Sequence, residues 1–333
     1  MNQTIKRILF FSAPPLITIF LLLGSAYIWD GHAIGAAFFA VPLGIIAMFV
    51  IYDGFFLRDD YLRRWTKAHG VDITDENWPV LYRYLGRGRR FRAAGGFLGY
   101  ATYVIVVSFI ARDEMGIGWV GALFGGYLLG AAIAEFLEFR PLPDVPRAAA
   151  LAPRRLNDYV SRVATTLMRV APIATVTLVA GWQFIPKGHT FPGEVFPPRE
   201  FSREPFRNAR PDFGEALVWA GIAILLVVIV EMTMRRIVRR PQPAASESLV
   251  AADDAIRTTG MHAIVGAGLA MQFGILGHLA GQWSNFTSGG TFHALLGIVG
   301  FASIIIAIFA WLRLGIDQPW VVRRTQRRQE AVA

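Results

Sequence analysis

Five ionisable residues lie beside or within apolar stretches of the chain, where a charge is costly. Asp53, Glu135, Glu138 and Glu231 stand near the ends of such stretches, and Arg169 lies in the first part of another. A charged side chain at the centre of a bilayer costs roughly 2.5 to 3.5 kcal/mol on insertion scales, and less near an end. The five residues predict a buried network of carboxylates and arginine, which either locks helices together or relays protons or ions.

Two histidines form a second candidate for chemistry. His278 and His293 flank a short connection, so their imidazoles could face each other, with His32 or His189 nearby. Neutral imidazoles bind haem or a divalent metal. These two residues are weak metal candidates because the connection does not fix their geometry, and no cofactor is predicted.

Motifs for known catalytic chemistry are missing from the sequence. It contains no Walker A sequence, no H-E-x-x-H pair, no G-x-S-x-G elbow and no G-x-G-x-x-G after a strand. Cysteine is also absent, which excludes disulfides, thiolate metal sites and a cysteine nucleophile. No catalytic residue is predicted, and a non-enzymatic role is favoured over an enzyme.

Long apolar stretches must position these residues. Hydrophobic residues make up 54% of the chain and charged residues only 17%, against roughly a quarter in soluble proteins. About 20 apolar residues cross the hydrocarbon layer as a helix. The sequence predicts an all-α, polytopic transmembrane helical bundle of about eight spans, which forms a single integral membrane domain over residues 1–333. The predicted spans are residues 8–29, 33–52, 93–111, 116–134, 163–182, 213–230, 261–283 and 292–312.

The distribution of positive charge predicts the orientation. Of the 33 lysines and arginines, 27 fall on the side that holds both termini and the loop 58–92. The positive-inside rule therefore places both termini and that loop in the cytoplasm. These arginines account for the net charge of +9, so nucleic-acid binding is not predicted. The first span imitates a signal peptide, but its apolar run is long, and we favour its retention.

The loop 58–92 is predicted to form two short helices that lie on the membrane and are broken at Gly70. The second would present Val80, Leu81, Tyr84 and Leu85 on one face. A basic cluster follows at Arg87, Arg89, Arg90 and Arg92. Such a cluster attracts anionic head groups by roughly 1 kcal/mol per residue. The predicted partner is the lipid bilayer, with a cytoplasmic protein as the alternative.

Two further loops carry interpretable residues. The outer loop 183–212 alternates prolines with phenylalanines, which is typical of a lid resting on helix ends rather than a loose tether. In the third cytoplasmic loop, Asp253, Asp254 and Arg257 suit an exposed helical face with an ion pair three or four residues apart. A solvated surface is the interpretation there.

Pairs of glycines four residues apart predict which helices approach closely. Glycine permits the close van der Waals contact on which helix association in lipid depends. The fourth and seventh predicted spans carry these pairs, so both should be central; an aqueous path along a glycine groove is the functional alternative. The residues are Gly121, Gly125, Gly126, Gly130, Gly277 and Gly281.

Two segments carry a resemblance to other proteins. Residues 63–66, Arg-Arg-Trp-Thr, with Val-Asp-Ile-Thr at 71–74, and the run 249–256 resemble parts of uncharacterised multi-pass membrane proteins from bacteria. The resemblance implies a bacterial cytoplasmic membrane and no particular activity. The leading hypothesis is a non-enzymatic transport or export component. The alternatives are a scaffold or regulatory subunit that docks a cytoplasmic partner and, third, an intramembrane haem or metal protein or enzyme.

Overall fold

The computed structural model describes residues 59–109, 118–138, 147–148, 155–181, 213–243, 246–286 and 290–316 of the chain. This part of the protein is all-α, as predicted. It also contains two strands of two residues each, β1 (Arg147–Ala148) and β2 (Gln242–Pro243), which pair antiparallel. The first two predicted spans and the loop 183–212 lie outside the described residues. The helices are α1 (Asp59–His69), α2 (Trp78–Phe109), α3 (Gly118–Glu138), α4 (Leu156–Tyr159), α5 (Arg162–Ala180), α6 (Phe213–Arg239), α7 (Glu247–Phe286) and α8 (Gly290–Ala310), which continues as a π-helix over Trp311–Ile316.

Four of these helices are long and apolar enough to cross a bilayer. Within the described residues they are Arg162–Ala180, Phe213–Arg239, Glu247–Ser284 and Thr291–Ala310. Large apolar side chains point outward from them, including Ile173 and Phe301, which are 64% and 69% exposed. Water would disfavour such a surface, whereas hydrocarbon would not. By helix length and hydropathy, the chain is a multi-pass membrane protein.

Helix α7 is the centre of the bundle. In its apolar window 89% of the residues are buried, against 22% in the window of α8. It packs against α3, α5, α6 and α8. Gly268 lets α5 and α6 approach, because a Cβ atom there would lie 3.0 Å from Met168 Sδ and 2.8 Å from Val230 Cγ2. With 40 residues and no proline, α7 is one rod about 60 Å long.

The fourth predicted span, now α3, packs chiefly on α2 and not at the centre. Gly126 of α3 faces Gly95 and Gly99 of α2, and Gly130 lies against the backbone of residues 91 and 92. Backbone therefore meets backbone along this pair of helices. Gly125 of α3 faces α7, with Met271 Cε 3.4 Å from its Cβ position.

The remaining glycines of the predicted set differ in their surroundings. Gly277 faces Gly300 of α8, whose carbonyl oxygen would lie 3.1 Å from a Cβ atom at Gly277. The backbone of Gly281 is close to Gly300, since a Cβ atom at Gly300 would lie 3.3 Å from the nitrogen of Gly281. Among the described residues, nothing lies within 4 Å of the Cβ positions of Gly121 and Gly281. Gly121 is therefore not a packing glycine in this part of the structure.

A second core lies beside the first part of α7. We call this region the cap: α1, residues 70–77, the first half of α2 and the first third of α7. Gly70 separates the two helices, with a left-handed φ of 61° that suits glycine. The core of the cap consists of Leu62, Trp65, Val71, Leu81, Tyr84, Leu85, Ala252, Ala255 and Ile256.

The cap corrects the prediction that α1 and the start of α2 lie on the membrane. Leu81, Tyr84 and Leu85 share one face, but they are buried in the second core rather than left for lipid. The reason is the length of α7, which begins at Glu247 and not at Met261. Its extra turns supply an apolar surface that the predicted loop lacked.

Candidate functional site: polar groups along the central helix

A buried arginine organises the cap end of α7. Arg257 is 0% exposed, and its Nε donates to Asp253 Oδ2 at 2.8 Å. Arg240, just beyond α6, reaches the other oxygen of Asp253 at 2.7 Å. We call these three residues the Arg257 network. A buried charge is stable only when it is paired and hydrogen-bonded, and each member here meets that condition.

The same arginine caps the end of α6. Its Nη1 donates to the carbonyl oxygen of Ile237 at 2.7 Å and its Nη2 to that of Pro241 at 3.2 Å. The last carbonyls of a helix have no partner within it, and a cation there also suits the helix dipole. Arg257 therefore ties the C-terminal end of α6 to α7.

The predicted solvated face at residues 253–257 is wrong. The ion pair four residues apart is present, but Asp253 and Arg257 are buried, because the end of α6 covers them. Asp254 is half-buried and accepts from the hydroxyl of Tyr159 in α4 at 3.2 Å. The pair thus belongs to the interior of the cap and not to a surface.

Glu135 of α3 meets the cap rather than an arginine of the predicted network. The hydroxyl of Tyr84 donates to Glu135 Oε1 and also lies 3.3 Å from the carbonyl oxygen of Ile256. Gly260 leaves room for this contact, since a Cβ atom there would be 2.5 Å from Glu135 Oε1. Burial, with the charge of Glu135, raises the pKa of Tyr84 well above its usual value. The phenol therefore remains a neutral donor.

Glu231 of α6 is the centre of a separate ion-pair cluster. Arg169 of α5 donates to both of its oxygens, at 3.0 and 3.1 Å, and Arg235 reaches it from one turn away at 3.1 Å. The predicted single network thus divides into a Glu135 contact and a Glu231 cluster. Asp53 and the side chain of Glu138 lie outside the described residues.

Two buried polar side chains of α7 were not singled out from the sequence. The Nε2 of Gln272 donates to the carbonyl oxygen of Ala223 at 2.6 Å. Its Oε1 and the Nδ1 of His262 are buried without a hydrogen-bond partner among the described residues. Almost all buried polar groups in proteins are paired, so such exceptions require an explanation. The sequence signal that could have identified these two side chains is the presence of a polar residue inside an apolar span.

Another polar group lies at the far end of the bundle, where α7 ends and α6 begins. We call it the far-end cluster: Glu215, Trp219, His278 and Gln282. Trp219 Nε1 donates to Glu215 Oε1 at 3.1 Å, and Gln282 Nε2 and His278 Nε2 approach the same oxygen at 3.5 Å. The Trp219 and His278 rings meet edge to face, with centroids 5.4 Å apart.

The two metal candidates from the sequence take different partners. His278 belongs to the far-end cluster, whereas the Nδ1 of His293 lies 2.7 Å from the carbonyl oxygen of Ser284. Within the described ranges, no three metal-ligating side chains come together. His32 and His189 lie outside those ranges.

The predicted lipid-facing arginines point in different directions. Arg89 stacks on the ring of Tyr61, with Cζ 4.0 Å from its centroid, and Arg92 lies 6.0 Å from the ring of Tyr127. Arg90 is exposed and Arg87 half-buried. Two of the four side chains therefore contact aromatic rings of the protein itself, which the spacing of the arginines did not indicate.

Comparisons with protein-family models, curated proteins and solved structures find no match to this chain. The residues and their geometry therefore carry the functional argument. They establish an all-α, multi-pass membrane protein, by helix length and hydropathy, with buried polar groups along its central helix.

Proposed function

We propose that this protein is a non-enzymatic transport component that passes a small polar solute or ion along α7. The observation that carries the proposal is the unpaired, buried Oε1 of Gln272 and Nδ1 of His262 on the central helix. In a bilayer such groups are expensive, and polar residues inside spans commonly mark solute and ion pathways. A passing solute or water would supply the missing hydrogen bonds.

The spacing of polar residues along α7 supports the same proposal. From Arg257 through His262 and Gln272 to His278 the helix advances by 21 residues, or about 32 Å. That distance is about the thickness of the hydrocarbon layer. Polar side chains thus occur at intervals over a length of α7 that is sufficient to cross it.

Orientation and location are part of the proposal. The cap faces the cytoplasm, because 27 of the 33 lysines and arginines fall on its side. Successive spans cross the membrane in opposite directions. Eight spans therefore place both termini in the cytoplasm and the loop 183–212 outside. We place the protein in a bacterial cytoplasmic membrane on the sequence resemblance.

The substitution Gln272→Leu tests the transport proposal. Leucine removes the unpaired oxygen, whose burial costs about 1 to 3 kcal/mol, and also the hydrogen bond to the carbonyl oxygen of Ala223, which contributes about 0.5 to 1.5 kcal/mol. These two effects oppose each other, so we expect thermal stability to change little. Flux should fall at least about tenfold, since a factor of ten corresponds to about 1.4 kcal/mol in a barrier. Proton flux is measured with a pH-sensitive dye in vesicles that contain the purified protein and carry an imposed membrane potential. Uptake of ethylammonium, a small polar cation, is measured in parallel.

A matched control separates loss of a pathway from loss of polarity. Thr233 is also buried in the bundle, but its hydroxyl donates to the carbonyl oxygen of Ile229 in its own helix at 2.7 Å. Thr233→Val should leave flux unchanged. Wild-type flux of both probes no higher than in protein-free vesicles would contradict the proposal, as would full flux through Gln272→Leu.

A second candidate function is a scaffold that docks an acidic cytoplasmic protein. The cap has its own core, and its α1 helix exposes Arg63, Arg64 and Lys67 on a rigid surface. Replacing all three with glutamate should remove a stoichiometric copurifying partner without lowering protein yield, because these side chains are exposed. Replacing Arg162 and Arg239 with glutamate, at exposed positions of α5 and α6, is the control. Retention of the partner by the α1 variant would exclude docking on this surface.

A further inference from the structure

We propose that the far-end cluster binds a small primary ammonium cation. Four side chains from α6 and α7 converge there, and the carboxylate of Glu215 supplies the negative charge. Glu215 and His278 are 42% and 28% exposed, so a solute can reach both. The inference rests on the proposed transport function only for the step that follows binding; the site itself requires no transport.

The hydrogen bonds within the cluster determine which atoms face a ligand. An ionised carboxylate only accepts, so Trp219, Gln282 and His278 all act as N–H donors toward Glu215 Oε1. When His278 donates from Nε2, its Nδ1 lies on the other side of the ring and faces away from the carboxylate. Two acceptor atoms then remain for one ligand: Glu215 Oε2 and Gln282 Oε1.

This set of atoms favours an ammonium ion over other solutes. A primary ammonium has one positive charge, which matches the Glu215 carboxylate, and enough N–H donors for both acceptors. The neighbouring ring of Trp219 adds a further favourable surface for a cation. An anion would face the Glu215 carboxylate, and a neutral solute would leave that charge unmatched.

In the described part of the chain, one face of α7 beside the cluster is not covered. Between residues 271 and 284, which are otherwise buried, the half-exposed residues are Gly274, His278, Gly281 and Gln282. At 3.6 residues per turn these four share one face of the helix. Among the described residues, no atom lies within 4 Å of the Cβ positions of Gly274 and Gly281. A short alkyl chain attached to the ammonium can therefore lie along this face.

Equilibrium dialysis of radiolabelled ethylammonium against the full-length protein in nanodiscs tests the proposal. We expect saturable binding by the wild type and at least about tenfold weaker binding by Glu215→Gln, because the variant loses the charge-assisted hydrogen bond. Glu247→Gln is the matched control, since Glu247 is an exposed carboxylate at the opposite end of α7. Tetramethylammonium, which has no N–H donor, should compete poorly.

A second variant guards against a folding defect in Glu215→Gln. Gln282→Leu removes one acceptor without changing the net charge, and it should weaken binding several-fold. Unchanged affinity in both variants would overturn the site, as would preferential binding of Zn²⁺ or Ca²⁺ over ethylammonium. Binding without flux in vesicles would contradict transport and leave the site intact, whereas flux unaffected by Glu215→Gln would show that ammonium does not enter through this cluster.

Discussion

Replacing Arg257 with methionine is expected to lower the thermal unfolding temperature by about 10 °C. The substitution removes one of the cations that pair with Asp253, together with the donors to the carbonyl groups of Ile237 and Pro241. Breaking a buried ion pair on one side costs about 3 to 5 kcal/mol, and each kcal/mol shifts the transition by about 2 to 4 °C. Scanning fluorimetry of the purified protein in detergent measures the change.

A second arginine provides a control of the same spacing. Arg235 pairs with Glu231 four residues earlier, as Arg257 does with Asp253, but its side chain is 61% exposed. Exposed pairs on a helix contribute only about 0.3 to 0.5 kcal/mol. Arg235→Met should therefore shift the transition by about 2 °C or less. Similar shifts for both variants would mean that burial does not determine the contribution of Arg257.

Replacing Gly126 with leucine is expected to separate α2 from α3. A Cβ atom at Gly126 would meet the carbonyl oxygen of Gly95 and would lie 3.0 Å from the Cα of Gly99. Backbone atoms cannot adopt another rotamer to make room, so the cost exceeds ordinary overpacking, and we expect a loss of about 3 kcal/mol or more. Thermal unfolding and the yield of protein in the membrane both report the effect.

Gly121→Leu is the matched control on the same helix. Nothing within the described part of the chain lies within 4 Å of its Cβ position. A leucine there should change stability by less than about 0.5 kcal/mol. If Gly126→Leu is equally mild, α2 and α3 do not meet through their glycines.

The helices themselves could be predicted from local sequence, because the length of an apolar stretch is a local property. The predicted spans 163–182 and 213–230 correspond to helices that begin at Arg162 and Phe213. The cap was not predictable in this way. The run from Glu247 to Thr259 mixes charged and apolar residues and lacks the long apolar stretch of a span, yet it continues α7 and supplies Ala252, Ala255 and Ile256 to the second core.

Side-chain partners depend on which helix faces meet, which the sequence does not state. His278 was matched with His293 because they are close along the chain, whereas the structure brings it to Glu215 of another helix. Arg257 was assigned to a surface because the end of α6 could not be placed over it. Gly95 and Gly99, by contrast, are four residues apart, and that spacing alone could have identified the face of α2 that meets α3.

The uninterrupted length of α7 has a mechanical consequence for the cap. A rod about 60 Å long that changes its tilt by about 10° displaces one end relative to the other by about 10 Å. Helices tilt more in thin bilayers than in thick ones. Because Trp65 and Tyr84 hold the cap to this rod, through Thr259 and the carbonyl oxygen of Ile256, we expect a change in bilayer thickness to move the cap relative to the membrane surface without any ligand.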